Sequence, residues 1–183
     1  REFFSKLLEH SNARVIVASK SWMVEVINGY AEGLCPSLQF VVQIGQLEYD
    51  EQVRAQDAGL PIYSFGFVEN KGKVHRCPVE QPLPDDIYTI AYRWHTDTCE
   101  PIGWEVTHGN LATNATGMGD LYHFSPQERH FSYVPMSHIG ERVVIAACLR
   151  NGATIGISES SSSPNVYADV KKFRPTFLLS TPQ

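Results

Sequence analysis

A chain of 183 residues is long enough for one ordinary domain with a sizeable hydrophobic core. Its content of 43% hydrophobic and 19% charged residues is typical of a soluble globular protein. The formal net charge of −5, without any basic stripe, argues against a general nucleic-acid binder or a binder of anionic membranes. The sequence shows no apolar run near the roughly 20 residues that span a bilayer, and no signal peptide opens it.

The cysteines favour an intracellular protein. The chain has four, at Cys35, Cys77, Cys99 and Cys148, widely spaced and without any Cys-x-x-Cys pair. This spacing is typical of reduced thiols rather than of a disulfide framework or a structural zinc site. We therefore expect a cytoplasmic or organelle-associated protein.

Helical and strand patterns alternate in the first part of the chain. Phe4 and Leu8 are spaced four residues apart, as on one helical face. Ser21 is a candidate N-cap, and Gly59 stands where a helix C-terminus favours glycine. The pattern predicts helices over 1–10, 21–30 and 49–58 and strands over 14–19, 38–44 and 61–65. The polar, proline-rich stretch 69–84 predicts a surface connection.

The same alternation continues to the end of the chain. It predicts strands over 87–92, 129–135, 153–158 and 176–181, helices over 107–122, 138–151 and 164–173, and a turn over 159–163. Alternating strands and helices predict an α/β fold, with a mostly parallel sheet flanked by helices on both faces. We expect residues 1–183 to form a single α/β domain.

The stretch from Asp85 to Asn110 is the most informative part of the sequence. It predicts an apolar strand, a polar turn with Pro101 and Gly103, and a helix that begins after the N-cap residue Thr107. In α/β proteins such a junction often holds phosphate groups, because free backbone N–H groups and the helix dipole point into the loop.

The stretch resembles the phosphate-loop region of the AMP-forming acyl-CoA synthetases, in particular the long-chain fatty acid ligases. In that family an Asp-Asp-strand segment leads into a Tyr-Thr-Ser-Gly-Thr-Thr-Gly-x-Pro-Lys-Gly loop and then into Thr-His-Gly-Asn. Here both flanks match. Other segments similar to family motifs follow in the family's order: Ala58–Phe65, Tyr133–Arg142, Asn151–Gly156, and Arg174–Thr176 with Pro182. The chain is identified as a central fragment of the N-terminal domain of such an adenylate-forming enzyme.

This resemblance implies an ATP-dependent ligase that converts a fatty acid to an acyl-adenylate and then to acyl-CoA. ATP, Mg²⁺ and CoA are the implied cofactors and co-substrates. The resemblance is also compatible with peripheral membrane association of the full-length protein. The family's later adenine-binding, Asp and Lys motifs have no counterpart here. No catalytic set is therefore complete in this chain, and we expect it to be inactive in isolation.

The middle of the loop departs from the family pattern. Thr96 and Thr98 could still donate hydroxyl hydrogen bonds to a nucleotide, and Gly103 keeps a family glycine. His95 stands at the first glycine position, and Asp97 would place a negative charge beside the phosphates. This chain has Trp94 where the family has Ser, and Ile102 where the family has Lys. The loop either retains weak phosphate contacts or is an exposed connection, in which case the protein is a non-catalytic relative that acts as a binding module.

The resemblance also places His138 near the carboxyl group that is activated, although a histidine at that point could simply bond to the backbone of the first helical turn. Glu141 and Arg142 are expected to form an ion pair or to lie on the helix surface. His108 and Asn110 are expected to stabilise the start of the helix. A metal site or a nucleophile built from His95, Asp97 and Cys99 is disfavoured, because the sequence supplies no fourth ligand and no orienting group.

Overall fold

A computed structural model of the protein describes residues 2–46, 48–98, 100–158 and 163–180. The helices are α1 Glu2–Ser11, α2 Met23–Ala31, α3 Tyr49–Asp57, α4 Phe65–Val74, α5 His108–Leu121, α6 Ile139–Asn151 and α7 Ser163–Phe173. The strands are β1 Val15–Ser19, β2 Phe40–Ile44, β3 Ile62–Ser64, β4 Ile87–Trp94, β5 Pro101–Thr107, β6 Arg129–Ser132 and β7 Thr154–Ile157. Contacts divide the chain into a first unit, Arg1–Glu80 with Arg93–Ile102, and a second unit, Gln81–Tyr92 with Gly103–Gln183.

The first unit is built on a parallel sheet of three strands in the order β1-β2-β3. Its core is formed by apolar side chains of α2 and β2, and Met23, Val26 and Val41 have no exposed surface. Strand β1 lies at the edge of this sheet, and 56% of Val17 is exposed there. Burial of these apolar side chains is the main force that holds the helix on the sheet.

Two predictions for the first unit were wrong. Ser21 does not cap α2, because a 3-10 helix over Lys20–Trp22 precedes that helix and the Ser21 hydroxyl lies 2.8 Å from the hydroxyl of Ser19. The stretch after β3 is not a surface connection throughout, because α4 occupies its first part. Ser64 caps α4 by accepting a hydrogen bond from the Phe67 amide, and the prolines that break helices come only after this helix has ended.

The second unit contains a parallel pair of strands, β6 and β7, joined by α6. Helices α5 and α6 pack together around a core to which Ala115, Val144, Ala147 and Cys148 contribute. Gly152 ends α6 in the left-handed conformation, with a φ of 71°. This confirms the predicted end of the helix.

The predicted last strand at 176–181 is reduced to one parallel bridge, between His130 and Phe177, and Thr181 lies outside the described residues. The reason is local. Thr176 accepts a hydrogen bond from the Arg129 amide through its hydroxyl, at 2.8 Å, so a side chain takes part where a regular ladder would use backbone carbonyls. The predicted turn at 159–163 also lies outside the described residues, except for Ser163.

Strands β4 and β5 form a separate two-stranded sheet. The connection between them, residues 95–100, is too short for a parallel crossover, so the two strands form an antiparallel hairpin. The predicted strand–loop–helix junction is corrected accordingly, because Pro101 and Gly103 lie in a strand and not in the loop.

The α/β class is confirmed, because helices accompany parallel strands in both units. The described strands form three small sheets, so the predicted mostly parallel sheet is seen here in separate parts. A single domain over 1–183 stays a prediction. Among the described residues, none of the helices is long and apolar enough to cross a membrane.

Candidate functional site

The hairpin tip, defined as residues 94–98 with Glu100, is the part of the chain that the sequence associates with phosphate binding. His95 donates its backbone N–H to the carbonyl of Glu100 at 2.9 Å, which closes the turn. The ring of His95 folds back over the turn. Its Nδ1 atom accepts hydrogen bonds from the backbone amides of Asp97, at 3.3 Å, and Thr98, at 3.4 Å.

Both predicted hydroxyl donors lie at this tip and are exposed to solvent. Thr96 donates its hydroxyl to the carboxylate of Asp97 at 3.3 Å. The tip also carries an ion pair, in which Lys6 of α1 lies 2.9 Å from the carboxylate of Glu100. Nucleotide binding by Thr96 and Thr98 stays a prediction. The tip presents their hydroxyls to solvent with a carboxylate beside them, whereas the amides of Asp97 and Thr98 donate to the His95 ring.

Gly103 lies in β5, away from the turn. A Cβ atom at this position would come within 2.8 Å of the Ile90 side chain and 3.1 Å of the Tyr92 ring, both on β4. Close packing across the hairpin therefore accounts for a glycine here without any ligand. Its role in nucleotide binding stays a prediction.

The base of the hairpin is held by a dense set of short-range hydrogen bonds. Thr107 accepts from the Asn110 amide at 3.1 Å, and Asn110 accepts from the Thr107 amide at 3.2 Å, which together form a capping box. The amides of His108 and Gly109 donate to the carbonyls of Asp86 and Pro84. The predicted N-cap role of Thr107 and the structural roles of His108 and Asn110 are confirmed.

His138 is the N-cap residue of α6, with extended backbone angles. Its side chain is exposed, and among the described residues it makes no capping hydrogen bond. The His138 amide donates to the Pro135 carbonyl at 2.9 Å, which closes the turn before the helix. The imidazole is thus accessible, and a role in substrate binding stays a prediction.

Glu141 and Arg142 do not pair with each other, which corrects the expectation from sequence. Glu141 is completely buried, and its carboxylate lies 2.8 Å from Nε2 of His130, a residue of β6 that is itself only 1% exposed. Arg142 turns the other way and donates to the Thr89 hydroxyl on β4 at 2.6 Å and to the Met136 carbonyl. Two adjacent charges of one helix therefore stabilise two different neighbours.

The buried pair of His130 and Glu141 was missed by sequence analysis. One signal was available, because Glu141, Val144 and Cys148 share the inward face of α6 at intervals of three and four residues. Glu141 also lies in the first turn of α6, where the helix dipole favours a negative charge. His130 Nδ1 and the second Glu141 oxygen have no hydrogen-bond partner among the described residues.

Cys148 lies on the same inward face and is 1% exposed. Burial, with the nearby charges of Glu141 and Glu128, raises the pKa of this thiol to about 11. A thiol with such a pKa stays protonated at neutral pH, and only the thiolate is a good nucleophile. Cys148 is therefore a structural residue.

No group of three or more metal-ligating side chains occurs among the described residues, and Cys99 lies outside them. Mg²⁺ prefers an octahedral set of oxygen ligands, and at the tip the described carboxylates are Asp97 and Glu100, the latter paired with Lys6. The described residues do not fit a dedicated Mg²⁺ site.

The fold recurs in solved adenylation domains. The adenylation domain of a carboxylate reductase from Mycobacterium chelonae superposes with a TM-score of 0.78 and 21% identity, over 97% of this chain and 29% of that one. A putative long-chain-fatty-acid CoA ligase from Rhodopseudomonas palustris gives a TM-score of 0.70 and 17% identity, over 97% of this chain and 40% of that one. Both therefore define an α/β fold shared with adenylate-forming enzymes.

Sequence comparison supplies the family. The model of the family described as AMP-binding enzyme matches residues 2–183, so the chain belongs to the AMP-binding enzyme family. Fatty acyl-CoA synthetase B of Dictyostelium discoideum is 28% identical over the whole of this chain and 27% of its own length. Peroxisomal long chain acyl-CoA synthetase 7 of Arabidopsis thaliana is 28% identical over 97% of this chain and 25% of its own length. The predicted family is confirmed, and the chain spans about a quarter of these relatives.

Proposed function

We propose that this chain is part of a long-chain fatty acid–CoA ligase. The observation that carries the proposal is the match to long-chain acyl-CoA synthetases along 97 to 100% of the chain. In the proposed reaction, a fatty acid carboxylate attacks the α-phosphate of ATP and displaces pyrophosphate. The CoA thiol then attacks the acyl carbonyl and releases AMP. The chain's own contribution is to position substrate groups.

In this proposal the hairpin tip contacts the ATP phosphates. Its donors are the hydroxyls of Thr96 and Thr98 and the amides of Asp97 and Thr98, the amides only where the phosphate displaces the His95 ring that accepts from them. Hydrogen bonds to charged phosphate oxygens are stronger than those to neutral acceptors. The exposed imidazole of His138 is proposed to contact the acyl carboxyl group. The ligase is proposed to work inside the cell, in the cytoplasm or at an organelle membrane.

These 183 residues alone are proposed to lack ligase activity. The described residues contain no group of three or more metal-ligating side chains, and their buried acid–histidine pair, His130 with Glu141, is shielded from solvent. A group that touches the reacting atoms has to be accessible to them. The residues that complete the chemistry are therefore expected outside this part of the domain.

A second candidate function is a non-catalytic relative that binds a partner or ligand without turnover. The hairpin tip favours this candidate, because its two amides already donate to His95 and the carboxylate of Asp97 lies beside them. A negative charge beside a triphosphate weakens its binding.

Fatty-acid-dependent exchange of pyrophosphate into ATP separates the two candidates. The natural polypeptide that contains these residues is assayed, with this chain alone as the control. Exchange by the larger protein, without exchange by this chain alone, supports the ligase. No exchange by either favours the binding module, and exchange by the isolated chain would contradict the proposed division of the active site.

Calorimetry with Mg·ATP then tests the hairpin tip directly. The chain is compared with a variant whose residues 93–102 are replaced by the family loop. We expect tighter binding by the variant, because glycine amides and a lysine would replace His95 and Ile102. Equal binding by both would mean that the substitutions at the tip do not affect the nucleotide.

A further inference from the structure

The His95 ring accepts hydrogen bonds from two backbone amides of the hairpin tip. Two consecutive backbone amides, those of Asp97 and Thr98, point at one acceptor atom, Nδ1, at 3.3 and 3.4 Å. Convergent amides of this kind are the arrangement with which turns bind phosphate oxygens. Here the acceptor is a nitrogen of the same chain.

We propose that His95 is an internal competitor for phosphate at this tip. While Nδ1 accepts from the two amides, a phosphate oxygen cannot use them, and the ring has to rotate away before the anion binds. This inference rests on the proposed contact between the tip and the ATP phosphates, and it names the residue that controls this contact. The ligand chemistry is a polyphosphate chain, and neither adenine nor an acyl group is needed.

The contact depends on the protonation state of His95. A neutral imidazole accepts through the nitrogen that carries no proton, whereas an imidazolium has N–H groups at both positions and accepts nothing. Protonation therefore frees the two amides and adds a positive charge beside them. Lowering the pH should strengthen anion binding through both effects.

The charged groups that face His95 belong to the tip and to the helix that contacts it. Arg93, Asp97 and Glu100 lie on the hairpin, and Lys6 of α1 pairs with Glu100 at 2.9 Å. Since Glu100 is paired, Asp97 is the main acidic neighbour, and its carboxylate accepts the Thr96 hydroxyl. In general, a change of pH between about 5 and 8 acts on imidazole rings rather than on carboxylate, ammonium or guanidinium side chains.

The decisive variant is His95→Ala, because it frees both amides at every pH and adds no charge. Binding of inorganic tripolyphosphate is measured by calorimetry at about pH 8 and about pH 5.5. The matched control is His75→Ala, which removes another exposed histidine from the end of α4. The control shows how pH alters the probe and the rest of the surface when His95 is unchanged.

We expect His95→Ala to bind tripolyphosphate roughly fivefold to tenfold more tightly than the unmodified chain at the higher pH, since one or two weak hydrogen bonds no longer compete. The unmodified chain and the control should gain affinity more steeply than the variant as the pH falls. If His95 acted only as a cation, the variant would bind as well as the unmodified chain at the higher pH and less well at the lower pH. That result, or an absence of binding by the variant at both pH values, would overturn the proposal.

A second measurement tests the contact without any ligand. In the NMR spectrum the amide signals of Asp97 and Thr98 should move with the titration of the His95 ring, and both amides should exchange with solvent faster in His95→Ala. If the chemical shifts of these two amides do not change when the ring is protonated, the proposal is overturned. The ligase proposal is tested separately by pyrophosphate exchange, because tripolyphosphate binding does not require adenylation.

Discussion

The hairpin tip and the start of α6 both carry family-like motifs, and their polar groups are held in opposite ways. At the tip, His95, Asp97 and Thr98 are exposed, and the amide hydrogen bonds to the ring measure 3.3 and 3.4 Å. At α6, Glu141 and His130 are buried and lie 2.8 Å apart. Water competes for every hydrogen bond at the tip, whereas the buried pair has no substitute partner.

The contrast explains where the family pattern could change without loss of the fold. Substitution at an exposed turn alters what the turn binds and leaves the core intact. Substitution of a buried charged residue leaves its partner unpaired in an apolar environment, at a cost of several kcal/mol. The buried pair is therefore expected to matter for the stability of the second unit, and the exposed tip is expected to contribute little to stability.

The largest expected effect is that of Glu141→Ala. It leaves His130 without its partner, and we expect the free energy of unfolding to fall by about 3 kcal/mol. Urea denaturation measures the change, with Glu105→Ala on exposed surface as the control. Glu141→Gln should cost less, because an amide can still bond to the ring. A loss below about 1 kcal/mol for Glu141→Ala would show that the pair is not isolated from water.

The reactivity of the Cys148 thiol measures the burial of the face of α6 that also carries Glu141. Its pKa is raised from 9.0 to about 11, so the folded state holds the proton more tightly than the unfolded state. The stabilisation is complete below pH 9.0 and is lost as the pH rises towards about 11. At about pH 8, a thiol reagent should modify exposed Cys77 first and Cys148 only on unfolding. Glu141→Gln should make Cys148 more reactive, and reaction of both thiols at similar rates would contradict its burial.

The capping box at the base of the hairpin is expected to contribute less to the free energy of unfolding than the buried pair does. Thr107→Ala removes the acceptor for the Asn110 amide, and we expect a loss of about 1 kcal/mol in the free energy of unfolding. Thr113→Ala, an exposed change within the same helix, is the control and should be neutral or slightly stabilising. Equal effects of the two substitutions would mean that the cap does not stabilise α5.

The smallest effect on stability is expected at the tip itself. His95→Ala breaks exposed hydrogen bonds only, so the free energy of unfolding should change by less than about 0.5 kcal/mol. The same urea titration measures it beside Glu141→Ala. A loss as large as that of the buried pair would remove the distinction between the two regions.

Much of the fold could be predicted because the local signals are strong. Thr107 and Asn110 form their capping box through side chains three residues apart, and Gly59 and Gly152 adopt the positive φ values that end helices. Such features depend on a few neighbouring residues. Helix α4 was missed because a nearby run of prolines dominated the pattern, although the Ser64 cap marks the start of that helix.

The site was less predictable, since its decisive contacts join residues that the pattern treats separately. Thr96 and Thr98 were assigned as donors from their positions in the motif, but the ring of His95 holds the backbone amides of the same turn. Gly103 was assigned to the loop and lies in β5, packed against Ile90. Side-chain rotamers decide such contacts, and the spacing of residues along the chain does not specify them.

The sequence by itself determined the α/β class, the helix caps and the membership of the AMP-binding enzyme family, because these follow from periodicity, local hydrogen bonding and ordered motifs. Only the tertiary structure decided that Glu141 pairs with His130 across eleven residues, that Arg142 reaches Thr89, and that a histidine ring occupies the amides of the hairpin tip. The physical reason is that these partners are far apart in sequence or depend on burial, and burial and close approach are properties of the folded chain.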